Sequence, residues 1–236
     1  MNKFKVWDLP VRLFHWSLVV LISLCLYTGY NFYDYYAYNL LGVELSLSAM
    51  AVHQYAGIGI FILIVFRILW GVFGSSHAVF WDFLRGPKAI LDYMKTGISP
   101  TEGHNPMGGW MVLAFFVVIL LQVSSGLFLE DNTYMFKNAP LSGLIENDTR
   151  STLAMIHHYG HYVIFGLVGL HLLAILFYTV IKRAALVGAM ITGKRRYDRA
   201  HMETPEALTH DHPWIALVLF VIVAAASIYF FFFHQF

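Results

Sequence analysis

Five long apolar runs, at 13–30, 49–73, 110–129, 153–181 and 214–233, constrain this chain more than any other feature. Each approaches or exceeds the ~20 residues that carry a helix across a hydrocarbon core. A backbone in lipid must satisfy its own hydrogen bonds, so only helices and closed barrels span a bilayer. Each run is therefore predicted to be a transmembrane helix, and the fold class is an all-α integral membrane bundle. Composition agrees: 58% of the 236 residues are apolar and 12% charged, whereas soluble domains carry about 25% charged residues. A net charge of +1 gives no bulk electrostatic reason to expect a nucleic-acid partner.

The first run follows Lys3, Lys5 and Arg12 and could pass for a secretory signal. It ends in Tyr27-Thr28-Gly29-Tyr30 and an aromatic, acidic stretch instead of a small-residue cleavage site, so it is expected to be retained. Basic residues orient the bundle. Lys3, Lys5 and Arg12 precede the first run; Arg67, Arg85, Lys88 and Lys95 lie at or beyond the end of the second. Lys182, Arg183, Lys194, Arg195, Arg196 and Arg199 follow the fourth. The 1–2 connection has Asp34 and Glu44 but no Lys or Arg; the 3–4 connection sets Lys137 and Arg150 against Glu130, Asp131, Glu146 and Asp148. This asymmetry predicts a cytoplasmic N-terminus and, with five spans, a C-terminus on the opposite side. The 74–109 connection is expected to hold a short interfacial helix within 80–93, with Trp81, Phe83 and Leu84 as its apolar contacts. Residues 184–213 read as a helix tail followed by a polar linker. No internal repeat is evident, and the only low-complexity tract is 230–233.

Cys25 is the only cysteine, so disulfide frameworks, Cys-ligated iron–sulfur clusters and C-x-x-C-H haem attachment are excluded. Twelve histidines remain, and six lie in the spans: His15, His53, His157, His158, His161 and His171. Ionisable residues within spans are costly and mark function. Neutral imidazole tolerates apolar surroundings and is a standard axial ligand of haem iron. His157 and His171 are 14 residues apart, close to four turns, and so share one face with ~21 Å of rise between them. His158 and His161 diverge from that face and are expected beside the ligands or on the outer surface. The fourth run begins outside, which puts His157 at the outer level and His171 at the inner one. The first run begins inside and places His15 at the inner level; the second begins outside and places His53 at the outer level. The predicted ligand pairs are His53–His157 outside and His15–His171 inside, each holding one haem b. His77, His201, His210, His212 and His234 fall outside the spans and are expected to be solvated. His210 and His212, with His201, could take a surface metal, but no acidic or thiol cluster supports them.

The segment Arg12-Leu13-Phe14-His15-Trp16 resembles the first helix of the prokaryotic cytochrome b561-like family, and in particular the b-type membrane subunits of nickel–iron hydrogenases. Val52-His53-Gln54-Tyr55-Ala56-Gly57 with Arg67-Ile68-Leu69-Trp70 resembles their second helix. Gly103-His104-Asn105-Pro106 resembles their cytoplasmic loop, and His157-His158-Tyr159-Gly160 followed by His171 their fourth helix. The resemblance covers roughly residues 5–183 and implies a four-helix di-haem core that passes electrons between a redox partner and the membrane quinone pool. It implies the same four ligands, His15, His53, His157 and His171, and a bacterial inner membrane with the C-terminus periplasmic. The fifth run departs from the pattern, since hydrogenase subunits of this kind generally lack it. It leaves the periplasmic partner open between a hydrogenase and a multihaem c-type cytochrome.

The expected division is a di-haem domain over 1–183, a cytoplasmic linker over 184–213 and an additional C-terminal helix over 214–236. The turn at Gly103–Pro106 suggests a quinone site, with His104 and Asn105 as hydrogen-bonding groups near the inner haem; the competing expectation is that Asn105-Pro106 simply starts a helix. No hydrolytic triad, phosphate loop or nicotinamide motif is present, so the chain reads as an electron-transfer subunit of an oxidoreductase. Two other functions fit parts of the pattern. One is a self-contained superoxide:quinone oxidoreductase at the same haems. The other is a histidine-lined metal transporter, which the absence of intramembrane carboxylates and the pairing of histidines by level disfavour.

Overall fold

The structure, a computed structural model, describes residues 2–40, 43–130, 139–197 and 208–233. Five of its helices are long and apolar enough to cross a membrane. They are α1 (Leu9–Tyr30), α2 (Ala49–Phe73), α5 (Pro106–Gly126), α6 (Asn147–Val180) and α8 (Pro213–Phe232). All five predicted spans are present. Their starts lie up to six residues upstream of the apolar runs, because polar caps begin helices that apolar counting misses. Asp8 opens α1: its carboxylate accepts the Val11 amide at 2.7 Å, and Pro10 follows inside the first turn, an arrangement typically worth about 1 kcal/mol. Asn105 opens α5 in the same manner through Gly108 N at 2.7 Å.

Long-range contacts bring the starts of α1, α5 and α8 and the ends of α2 and α6 to one end of the bundle, called here the near end. Asp8 also accepts Trp70 Nε1 at 2.8 Å and Ser75 Oγ at 2.6 Å, which ties the start of α1 to the end of α2. Strand β1 (Asn2–Lys5) pairs antiparallel with β4 (Lys194–Tyr197), Asn2 opposite Tyr197 and Lys5 opposite Lys194. Around this junction Val6, Trp7, Val11, Phe66, Trp70 and Ala216 form a buried cluster. A middle cluster joins Phe14, Ile60, Ile64, Phe116 and Ile119, and a third, at the far end, joins Ile58, Leu127, Leu141, Val223 and Phe231. Helix α2 contributes to all three and is the most buried span. Helix α8 packs on α2 and, to a lesser extent, α1, while Trp214, Val218, Ile222 and Tyr229 stay on its exposed face.

The connections are more structured than their composition suggests. The far-end 1–2 connection forms a hairpin, β2 (Tyr35–Leu40) with β3 (Val43–Ser48). In the near-end 2–5 connection the expected interfacial helix is broken in two, α3 (Phe80–Phe83) and α4 (Pro87–Thr96), because Leu84 is extended and Gly86-Pro87 starts a new helix. Trp81 remains exposed, but Phe83 is wholly buried against His104 and Phe80 and makes no lipid contact. After α6 the chain is not a helix tail: Arg183 adopts a left-handed φ of 52°, and the short α7 (Leu186–Thr192) leads into β4.

That return explains the one surface histidine, among the described residues, that the sequence misplaced. His77 is 4% exposed, with Nδ1 bonded to Val6 O at 3.0 Å beneath the N-terminal segment. His210 and His212 are exposed as expected, whereas His201, His234 and the stretch 131–138 lie outside the described residues.

Candidate cofactor site

The bundle brings four of the six span histidines together in two pairs. His53 of α2 and His157 of α6 face each other near the far end, with ring centroids 6.0 Å apart and planes at 77°. His15 of α1 and His171 of α6 meet nearer the other end at 6.5 Å and 52°. Helix α6 supplies one ring to each pair yet rests mainly on α5, and only Ile164 of its 34 residues is buried.

Backbone carbonyls fix the far pair. His53 Nδ1 lies 2.9 Å from Cys25 O on α1, and His157 Nδ1 lies 2.9 Å from Gln122 O on α5. With Nδ1–H donating, each ring presents Nε2 as its free donor atom, the usual way a protein orients a metal-binding imidazole. Thr28 Oγ1 reaches His53 Nδ1 at 3.3 Å, and Ser125 Oγ reaches His157 Nδ1 at 3.4 Å. Gly29 and Gly126 complete the two settings. A Cβ on Gly29 would come within 3.3 Å of the His53 ring, and one on Gly126 within 2.7 Å of the His157 ring.

The two settings repeat one another. Cys25-x-x-Thr28-Gly29 on α1 matches Gln122-x-x-Ser125-Gly126 on α5, and His53-x-Tyr55-Ala56 on α2 matches His157-x-Tyr159-Gly160 on α6. Sequence reading missed this short correspondence because the connections differ in length, so no single period relates both halves. The glycines, Thr28 and Ser125 were equally missed; the repeat was the signal that could have found them.

A cavity of about 610 Å³ lies beside the far pair, lined by His53, His157, Gly29, Gly126, Tyr30 and His161, among others. His158, also on its wall, is exposed, with its ring against Tyr159. His161 packs on Tyr30 and Tyr162, and its Nε2 is buried without a hydrogen-bond partner. The near pair is held by rings instead. Trp16 stands edge-on to His15 at 5.0 Å, Phe115 stands edge-on to His171 at 5.8 Å, and His15 Nδ1 is buried with no partner.

The other sequence candidates also lie at the near end. His104 is sandwiched between Trp7 and Phe83, each 4.7 Å away, and its Nδ1 is buried and unpartnered. Burial, reinforced by the charges of Arg67, His171 and His15, lowers its pKa from 6.5 to about 3, so the ring is neutral at physiological pH. Asn105 is committed: its Oδ1 caps α5, and its Nδ2 donates to Tyr93 and Tyr178 hydroxyls, both at 3.1 Å. Those hydroxyls bond each other at 2.6 Å, joining α4, α5 and α6. Among the described residues no group of three His, Cys, Asp or Glu side chains is placed to hold a metal ion.

The paired rings fit an iron porphyrin. Two metal–imidazole bonds of about 2 Å each, plus the step from each nitrogen to its ring centre, place bis-imidazole centroids roughly 6 Å apart. Both observed separations meet that requirement, and the far cavity lies within the usual range for cofactor sites.

Comparisons with known proteins agree in kind. The family model described as prokaryotic cytochrome b561 matches residues 6–193. A probable Ni/Fe-hydrogenase B-type cytochrome subunit of Rhodobacter capsulatus is 23% identical over 226 residues, covering 84% of this chain and 83% of that protein. No solved structure matches the chain significantly.

Proposed function

The chain belongs to the prokaryotic cytochrome b561 family, and from that premise we propose that it is a di-haem cytochrome passing electrons between a periplasmic redox protein and membrane quinone. Its character as a multi-pass membrane b-type cytochrome with an electron-transfer role follows from the family and the five apolar helices. The observation that carries the finer reading is the pair of facing imidazole pairs, at 6.0 and 6.5 Å, joined by one helix.

In this reading His53 and His157 would hold the outer haem b, and His15 and His171 the inner one. When bound, haem supplies one-electron chemistry at its iron. The protein binds and orients it: Cys25 O and Gln122 O fix the outer rings, and Gly29 and Gly126 leave room for them. The four histidines would hold the two groups and leave no place for exogenous ligands. Basic residues support a cytoplasmic near end, because β1–β4 pairing gathers Lys3, Lys5, Lys194 and Arg195 there, and α4 with Lys88 and Lys95 packs on the start of α5 at the same end. The periplasmic partner is a hydrogenase by analogy with the relative's name, or a multihaem c-type cytochrome. Residues 1–183 act as the di-haem domain, 184–213 as the cytoplasmic link, and 214–236 as an added helix that braces a partner.

Quinone reacts at the cytoplasmic end, beside His15 and His171. His104 and the hydrogen-bonded Asn105–Tyr93–Tyr178 group are the polar elements available there. Stopped-flow mixing of the purified protein with a quinol analogue tests this. Haem reduction is expected in His53→Ala, which keeps the inner pair, and is expected to be lost in His15→Ala. The reverse pattern would move the quinone site to the outer end.

A further inference from the structure

The short repeat has a consequence at the near end. In α6, His171 follows His157 by 14 residues; in α2, the residue 14 beyond His53 is Arg67. Nearly four turns separate the members of each couple, so they share a face and differ by the same ~21 Å of rise. Where one half of the repeat carries an inner imidazole, the other carries a guanidinium.

Arg67 is 2% exposed within a membrane-spanning helix. Its Nη2 donates to Ala78 O at 2.9 Å, and Nη1 is buried with no partner. Its Cζ lies 5.5 Å from the Phe80 ring and 5.9 Å from Phe116, which packs on Phe14, the residue before His15. Arg67 takes part in none of the ion pairs found among the described residues. Asp8 is within electrostatic reach, but its carboxylate is engaged by Val11 N, Trp70 and Ser75. The far end differs: Arg150 pairs directly with Glu130 at 2.5 Å.

We propose that the two sites are tuned to different redox potentials, the outer lowered by the Cys25 and Gln122 carbonyls and the inner raised by the Arg67 charge. The proposal rests on the ligand reading above. An imidazole that donates Nδ1–H to a carbonyl is more basic and favours the oxidised iron. A buried cation in a low-dielectric setting disfavours the added positive charge of the oxidised state. The far pair has two such carbonyl bonds. At the near pair His15 Nδ1 has none, and the Arg67 guanidinium lies over Phe116, which packs on Phe14 beside His15. An electron delivered at the outer site therefore runs downhill to the inner one. Arg67 is a positioning residue for charge and touches no reacting atom.

Equilibrium redox titration of the purified full-length protein, followed by haem absorbance, tests the proposal. Two one-electron components are expected. The lower should vanish in His53→Ala and the higher in His15→Ala. Arg67→Gln should move only the higher component, downward, at unchanged haem content, and Arg67→Lys should restore most of the shift. Reversed assignment in the histidine variants, or two equal potentials, overturns the proposal even if Arg67→Gln does not fold. A shift of both components, or of neither, in a folded Arg67→Gln overturns the role of Arg67. If the histidine variants do not each lose one haem, the ligand reading itself fails.

Discussion

At the far end of the bundle, both histidines are locked by backbone carbonyls 2.9 Å away and by glycines that clear space for their rings. At the near end, the partners are held by the edges of Trp16 and Phe115, and His15 Nδ1 has no bond. The ring separations differ by only half an ångström, yet one site is fixed by hydrogen bonds and the other by packing. A carbonyl fixes a ring's tilt and tautomer whatever lies on its other nitrogen; ring packing leaves the tilt to whatever the imidazole binds. The far pair should therefore tolerate little change in its walls, and the near pair more.

The largest expected break in that comparison comes at Gly126. Gly126→Ala places Cβ 2.7 Å from His157 Cε1 and 3.0 Å from Nδ1, so the ring must leave its carbonyl. On the proposed ligand reading, this variant should lose nearly all haem at the far pair while keeping that at the near pair, as read from haem per chain. Gly29→Ala is milder, at 3.3 Å from the His53 ring, and should retain most outer haem with a perturbed spectrum. Equal losses in the two variants would mean that wall contact does not set outer occupancy.

The smallest expected effect concerns the packed near end. His104 has a folded pKa of about 3 against 6.5, so below pH ~6.5 the unfolded chain takes up a proton that the folded chain refuses. Stability is lost as pH falls through the window between those values, and His104→Phe removes that loss. Melting temperatures followed by haem absorbance should show wild type losing ground to His104→Phe between pH 7 and pH 5. A constant gap would mean that the ring is not buried as a neutral group.

The spans were legible because lipid imposes run length, and the proximity of the four rings because a helix imposes phase; both are local. Helix starts were less legible from an apolar window, which discards polar caps such as Asp8, although the turn chemistry of Asn105-Pro106 did mark the start of α5. The burial of His77 was invisible, because it depends on the β1–β4 pairing that closes the N-terminal segment over it from almost two hundred residues away. Phe83 was misassigned to lipid for the same reason, its cover coming from His104 and the start of α5. The carbonyl acceptors of the far pair are backbone atoms and leave no residue signature of their own; Gly29 and Gly126 mark them only after the two halves are aligned.

The measurement that bears most directly on the account is haem stoichiometry by pyridine haemochrome on the purified protein and two single variants. The wild type should hold two extractable haems b per chain. His53→Ala and His15→Ala should hold one each, with different low-spin spectra. A wild type with a single haem, or two variants that lose the same spectral component, would contradict it.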